Sequence, residues 1–500
     1  MYHIRKTKTS SSATAVQVVC YINRRTTLAK HIGSGHSVEA IENLLNIAQD
    51  WIEKETKQEN LFDAIENTSS TQNLVLLDKC HYIGFRYGFI YEILSKLLDR
   101  FEFTTIGNSL LHDLIIMRII EPASKLKSLE LLTEYFGIIH RRQTFYETLP
   151  KLLTLKDAVE TLTVNFAQTK LAFDFSLVFY DVTTLYFESF SADELRKNGF
   201  SKDSKSQQPQ IVIGLMVTGQ GFPVAYEVFP GNKFEGHTLI PVVKDFKDKY
   251  SIPTLTVVAD AGMISMDNVR TLKENSLHYI VGARLGNITM KALTDMSSAL
   301  GRQNNATIRT ATEYGDLICS FSEKRYAKDK REMEKQIQKA KDLLKKPKEA
   351  KRTKFLKNSD TTKYELNDAL IEKTNLLLGM KGYYTNLDAS VDNQTIISHY
   401  HNLWHVEQAF RVAKNDLESR PIFHFKDDAI RVHMLICFMA LAVSKYSEIQ
   451  TGRSLQYIVR SLKQVTDARV LNTLTNEEII MRTEIPEEVK DIVEKLQLSY

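Results

Sequence analysis

The sequence predicts an α/β protein: a mixed-sheet core interrupted by an insertion and preceded by a mainly helical N-terminal region. Three observations predict it. The chain has 500 residues, 43% hydrophobic and 25% charged, so it is too long for one ordinary domain and apolar enough to bury real cores. From Asp78 to Val164 the apolar residues recur every three or four positions, and after about residue 170 they collapse into short runs closed by turn residues. Only 10 Pro and 20 Gly are present, which favours regular elements over long coil.

Taken in order, Ala15 to Ile22 reads as a short strand and Ser37 opens a helical pattern to about Glu55. Lys54 to Asn73 is polar, a linker or exposed face. Leu110, Leu111, Leu114, Ile115 and Ile119, then Leu126, Leu129 and Leu132, mark helices that Pro122 separates. Phe173 to Tyr180 reads as a buried strand ending in Asp181. Gln210–Val217 and Pro223–Phe229 form a hairpin across Thr218-Gly219-Gln220-Gly221. His237 to Tyr250 has helical spacing, and Leu255 to Ala259 is a strand ending in Asp260. Ser265 or Asp267 caps a short helix, and His278 to Ala283 is a fifth strand. Residues 285–385 interrupt this core, and Gly382 to Leu387 returns to it. A long amphipathic helix is expected from Asp392 to Leu417, with Leu403, Val406, Phe410, Ala413 and Leu417 as its apolar stripe. Ala429 to Tyr446 is nearly all apolar, a buried helix.

The net charge of +4 hides a separation. Residues 1–30 carry six basic side chains (Arg5, Lys6, Lys8, Arg24, Arg25, Lys30) and no acid. The segment Glu323 to Lys357 holds 15 Lys or Arg against 6 Asp or Glu, and reads either as a solvated helix or as a phosphate-contacting one. The remainder is acidic. The four cysteines (Cys20, Cys80, Cys319, Cys437) have neither zinc-ligand nor disulfide spacing. No apolar h-region follows the basic N-terminus. The longest wholly apolar run, Met434 to Val443, is ten residues where a spanning helix needs about 20. The expectation is a soluble cytoplasmic protein.

Three carboxylates stand out by position. Asp181 and Asp260 each end an apolar strand, the rim where α/β folds build their sites, and Glu407 lies one residue from the apolar stripe of the long helix. Magnesium takes one or two carboxylates and keeps several waters. Two such ions clamp the attacking and leaving oxygens of an in-line phosphoryl displacement. Each acid also has an ordinary reading: a turn former or helix cap for the aspartates, a solvated salt-bridge residue for the glutamate. Asp174, Glu188, Asp203, Glu227 and Glu235 share those readings. His401 and His405 stand at i, i+4 but lack the glutamate of a His-Glu-x-x-His zinc site.

The blocks Tyr180-Asp181-Val182-Thr183-Thr184, Gln210 to Asn232 leading to Val258-Ala259-Asp260-Ala261-Gly262, and Tyr400 to Lys414 with Arg420-Pro421 resemble the DDE transposases of bacterial insertion sequences. They are most similar to the branch with a Tyr-Arg-Glu-Lys signature, and Arg118 to Lys125 adds a further helical block. The resemblance implies a ribonuclease H-like core in which Asp181, Asp260 and Glu407 are catalytic and hold two Mg²⁺, with Mn²⁺ able to substitute. It implies that Tyr400, Arg411 and Lys414 hold DNA phosphates. The signature arginine is replaced by Leu403, so Arg411 either supplies the guanidinium or pairs with Glu407 along the helix. Relatives capture a flipped base with a Trp of the insertion domain. Here the only tryptophans are Trp51 and Trp404, which leaves hairpin formation open.

The implied function is an insertion-sequence transposase that binds terminal inverted repeats, cleaves the transposon ends and joins the 3′-OH to target DNA, as a homodimer or larger assembly on DNA. The alternatives are a host two-metal nuclease on the same fold and a domesticated, non-catalytic DNA-binding protein. The expected division is 1–100, basic and DNA-end binding; 101–165, helical, DNA-binding or linking; 166–284, first half of the catalytic core; 285–385, insertion domain with a basic helix; 386–446, second half of the core; and 447–500, a C-terminal tail.

Overall fold

A computed structural model describes residues 2–9, 12–22, 25–56, 79–189, 191–199, 207–263, 265–345, 353–360 and 363–499. The polar stretch between 57 and 73, Arg24 and residues 346–352 of the basic segment lie outside them. The chain forms two compact units.

The first unit comprises Met1–Glu92, Thr133–Ile138 and Arg460–Asp491. It opens with three antiparallel strands, β1 (Tyr2–Lys8), β2 (Thr14–Ile22) and β3 (Arg25–Gly35), in that spatial order. The helix α1 (Val38–Thr56) follows, its start capped by the Ser37 hydroxyl, which accepts from the Ala40 N–H at 3.2 Å. Val16, Val18 and Ile32 face Leu44 and Ala48 of α1 in a closed apolar cluster. One short strand was expected before this helix. Alternation of Tyr2 and Ile4 with polar residues builds a second strand beside it, and β3 closes the sheet. The strand β4 (Cys80–Arg86) pairs with Asp467–Asn472, which pairs in turn with Glu477–Arg482. Residues 447–500, expected as a tail, therefore contain regular elements. Asp467 ties the two C-terminal strands together through Arg482, 2.8 Å away.

The second unit comprises Ile93–Leu132, Ile139–Val459 and Ile492–Tyr500. Its sheet has eight strands: β5 (Leu177–Tyr186), β6 (Gln210–Val217), β7 (Pro223–Pro230), β8 (Thr256–Ala259), β9 (His278–Ala283), β10 (Thr307–Thr312), β11 (Gly315–Phe321) and β12 (Met380–Thr385). The spatial order is β10-β11-β12-β9-β8-β5-β6-β7. β5, β8 and β9 run parallel, and all other pairs are antiparallel. The run β7-β6-β5-β8-β9 has the order of a ribonuclease H-like core, and the fold class is the one expected. The hairpin turns at Gly221, whose φ of 81° is the left-handed conformation glycine tolerates without strain.

Three expectations need correction. The first core strand starts later and runs longer than 173–180. The β-branched Val182, Thr183 and Thr184 continue it by pairing with Gly214, Ile213 and Val212, so Asp181 lies inside the strand. Part of the insertion, β10 and β11, extends the core sheet. The helix expected over 392–417 is broken. It forms α2 (Asn393–His401), α3 (Trp404–Arg411) and a π-helical turn, Val412–Asp416. Around Asn402 the backbone tightens to i→i+3 bonds: Leu403 donates to Tyr400 at 3.1 Å and His405 to Asn402 at 3.0 Å.

The helix α4 (Asp427–Thr451) is the core of this unit, buried along almost its whole length. Among the described residues it alone is long and apolar enough to cross a membrane, and here the sheet and its neighbouring helices cover it. Tyr226 of β7 packs on Phe438, ring centroids 4.8 Å apart. The charged segment forms the expected helix over Glu323–Leu344, and its last residues, Leu356 and Lys357, enter a strand.

Close packing under the sheet is testable at Gly214. A Cβ there would stand 2.3 Å from the hydroxyl of the buried Tyr180. Gly214→Ala is expected to lower stability by about 1–3 kcal/mol through overpacking, read as a lower urea midpoint at unchanged slope.

Candidate active site

The site begins with a register. In the parallel pair β5–β8, Tyr180 stands opposite Ala259. The next residue in each chain segment is an aspartate, Asp181 inside β5 and Asp260 just past the end of β8. Neighbouring strands lie about 4.8 Å apart, so the register sets the two aspartates at neighbouring positions. Asp181 is half-buried and Asp260 exposed. Thr183 and Leu185 share the face of Asp181, and with Phe410, Ala413 and Lys414 they line a cavity beneath α4. The face of Asp181 is therefore the one that α3 covers.

Two contacts place α2 and α3 over this pair. The Tyr400 hydroxyl donates to Asp260 Oδ1 at 3.3 Å, and Lys414 Nζ donates to Thr183 Oγ1, two residues along the strand from Asp181. Glu407 lies seven residues from each of these anchors, exposed on α3. The structure thus brings Tyr400 to Asp260 and Lys414 to Thr183, and the Glu407 charge is felt at Tyr400 and Lys381. Arg411 is exposed and its charge acts on Asp416. Leu403, where the signature has arginine, is buried.

The electrostatics of Tyr400 follow from its position. Burial, then the Asp260 charge and hydrogen bond, then Glu407 hold its phenol above the usual range, so it stays a donor. Lys381, which no motif marks, lies over the Tyr400 ring at 4.7 Å. Burial and Arg325 lower its pKa, while Asp260 and Glu407 pull the other way. Gly262 brings two more groups near Asp260: a Cβ there would stand 3.4 Å from Glu235 Oε2, 3.8 Å from Arg284 Nη2 and 3.9 Å from Asp260 Oδ2. Lys381 and Arg284 escaped the sequence reading because their neighbours in space are far away in the chain.

The other acids have ordinary roles. Asp174 Oδ1 accepts from the Ser176 N–H at 3.0 Å, and Glu227 pairs with Lys156 at 3.0 Å. Asp203 lies outside the described residues, and Glu188 is exposed. His401 meets the Tyr383 hydroxyl at 3.3 Å and His405 stacks on Trp404 at 3.9 Å, so the two histidines point to different partners.

The donor chemistry suits a hard divalent cation: two adjacent carboxylates, one open to solvent. Among the described residues no three His, Cys, Asp or Glu side chains stand together as a metal group in this arrangement. The residues present fit a cation held by Asp181 and Asp260.

The Arg118–Lys125 block supports the site from beneath. Buried Arg118 donates to the carbonyls of Ala123 at 2.8 Å and of Leu417 and Glu418 at 3.4 Å, holding the chain that follows Lys414. Lys125 is buried with its ammonium 3.2 Å from His433 Nδ1.

The chain belongs to the transposase DDE-domain family, whose model matches residues 173–443. No curated protein sequence matches it. Among solved structures it is similar to the piggyBac transposase synaptic complex with hairpin DNA, at 12% identity over 73% of this chain and 70% of that one, with a TM-score of 0.36.

Lys125 makes the support measurable. Burial, then Arg118, lowers its pKa from 10.5 to about 7. Between those values the unfolded chain carries a proton that the folded chain lacks, so stability rises with pH across that window. Lys125→Met is expected to remove that rise, roughly 3–5 kcal/mol, in urea titrations repeated across the window.

Proposed function

We propose that the protein is the transposase of an insertion sequence, similar to the branch with the Tyr-Arg-Glu-Lys signature. It binds the terminal inverted repeats of its element, hydrolyses the phosphodiester at each end and joins the freed 3′-OH to target DNA. The observation that carries this reading is the β5–β8 register, which puts Asp181 beside Asp260 beneath the segment that bears Glu407. Asp181 and Asp260, with Glu407 completing the set when DNA is engaged, would hold divalent metal, which supplies Lewis-acid activation of the attacking oxygen and neutralises charge on the phosphate.

The protein's own groups have separate tasks. Tyr400 orients the Asp260 carboxylate by donating to one oxygen and leaving the other free. Lys414, beside Thr183, and Lys381, over the Tyr400 ring, bring positive charge to the site where a phosphate would approach. Arg411, exposed one turn beyond Glu407, is placed to reach a phosphate in the position that Leu403 cannot serve. Holding two ends in one synaptic assembly calls for a homodimer or larger assembly of the chain on DNA.

Purified protein incubated with duplexes carrying the DNA that borders the gene is expected to cut them at the inverted-repeat ends. Chelation should stop the cutting and Mg²⁺ or Mn²⁺ restore it. Asp181→Asn and Glu407→Gln are each expected to lower cleavage on the order of 10³-fold, the loss of several kcal/mol of charge stabilisation, while end binding persists. Cleavage by either variant at the unsubstituted rate would refute the site. Borders without paired inverted repeats would favour a host nuclease.

A further inference from the structure

The β1–β3 sheet has two unlike faces. One face packs on α1 through Tyr2, Ile4, Val16, Val18 and Ile32. The strand register assigns the other face. One row across the sheet is Arg5–Gln17–His31, and the row beside it is His3–Val19–Leu28. Arg5 Nη2 donates to Gln17 Oε1 at 2.7 Å, and Gln17 Nε2 meets His31 Nδ1 at 3.5 Å. These side chains form a connected ladder held upright on the sheet. His3, Arg5, Thr7, Leu28 and His31 are exposed. The first acidic residue in the chain is Glu39, so no carboxylate belongs to this sheet.

We propose that this face is the sequence-reading surface of the protein: the sheet enters the major groove of the element's terminal DNA, and Arg5 and Gln17 read base edges there. The proposal rests on the transposase reading above. The fit is dimensional and chemical. Neighbouring strands lie about 4.8 Å apart, so the paired side chains of Arg5 and Gln17 on β1 and β2 form a two-stranded ridge that the major groove, about 12 Å wide, admits. The deep, narrow groove of duplex RNA does not admit it. Arginine reads guanine O6 and N7 with two donors, and glutamine reads adenine N6 and N7. Leu28 offers an apolar contact for a thymine methyl in the neighbouring row. Arg5 is the formal positive charge that β1 adds to this face, since Lys6 and Lys8 alternate onto the face that carries Tyr2 and Ile4. A ladder tied together before binding gives up less side-chain entropy on contact than free side chains would.

The test uses the full chain and fluorescence anisotropy with two duplexes, one carrying the DNA that borders the gene and one a scramble of the same composition. Arg5→Ala and Gln17→Ala are each expected to weaken binding to the end duplex about 5- to 150-fold and leave the scramble nearly unchanged. Arg5→Lys keeps the charge and is expected to lose end preference all the same. End binding at the unsubstituted level in both alanine variants, or equal losses on both duplexes, overturns the proposal. Cleavage of the end duplex by the unsubstituted chain separates the two readings. If it cuts while the variants bind and cut equally well, only this surface is wrong; if it neither prefers nor cuts the ends, the transposase reading fails as well.

Discussion

The candidate site depends on one parallel strand pairing. β5 and β8 meet with Tyr180 opposite Ala259, and that register alone sets Asp181 beside Asp260. A slip of one residue would turn one aspartate to the opposite face of the sheet. The apolar residues before the aspartates, Val178, Phe179 and Tyr180 on one strand and Val257, Val258 and Ala259 on the other, are fully buried and forbid such a slip. Burial thus secures a placement that the carboxylates themselves oppose, since like charges at neighbouring positions repel.

That repulsion explains much of what surrounds the pair. Tyr400 donates to Asp260, Lys414 stands by Thr183, Lys381 lies over Tyr400, and Arg284 approaches across Gly262. These groups come from the strand edges of the core and from the α2–α3 segment, and each turns positive charge or an O–H toward the acids. The break at Asn402 serves the same end. A continuous helix would keep Tyr400 and Lys414 in fixed rotation about one axis, whereas the tightened turn and the π-helical turn let Tyr400 reach β8 and Lys414 reach β5. Beneath them α4 supplies a rigid apolar floor, and Arg118 holds the carbonyls of the segment between.

The legible parts were those with a local signal. The hairpin, the strand before Asp260, the strand over 278–283 and the buried helix near 429–446 all showed period and punctuation. The misread parts lacked one. Nothing local says that β5 should extend past Asp181, because its extension is paid for by β6 across the hairpin. Nothing local marks β10 and β11 as members of the core sheet, since their partner β12 lies about 60 residues on. The kinked helix kept an amphipathic stripe through its break, and a period alone cannot show where i→i+4 bonds give way to i→i+3.

By itself the sequence determined the family and the α/β core, and it singled out three acids with Tyr400 and Lys414 as candidates, because chemistry of that kind leaves residue types at set spacings. Only the tertiary structure decided which groups share the site. Lys381, Arg284 and Glu235 reach Asp260 through folding, and the ladder of Arg5, Gln17 and His31 exists only once three strands pair in register. The reason is the same in both places. A strand register joins residues that the chain keeps apart, and it is set by the apolar face on the other side of the sheet.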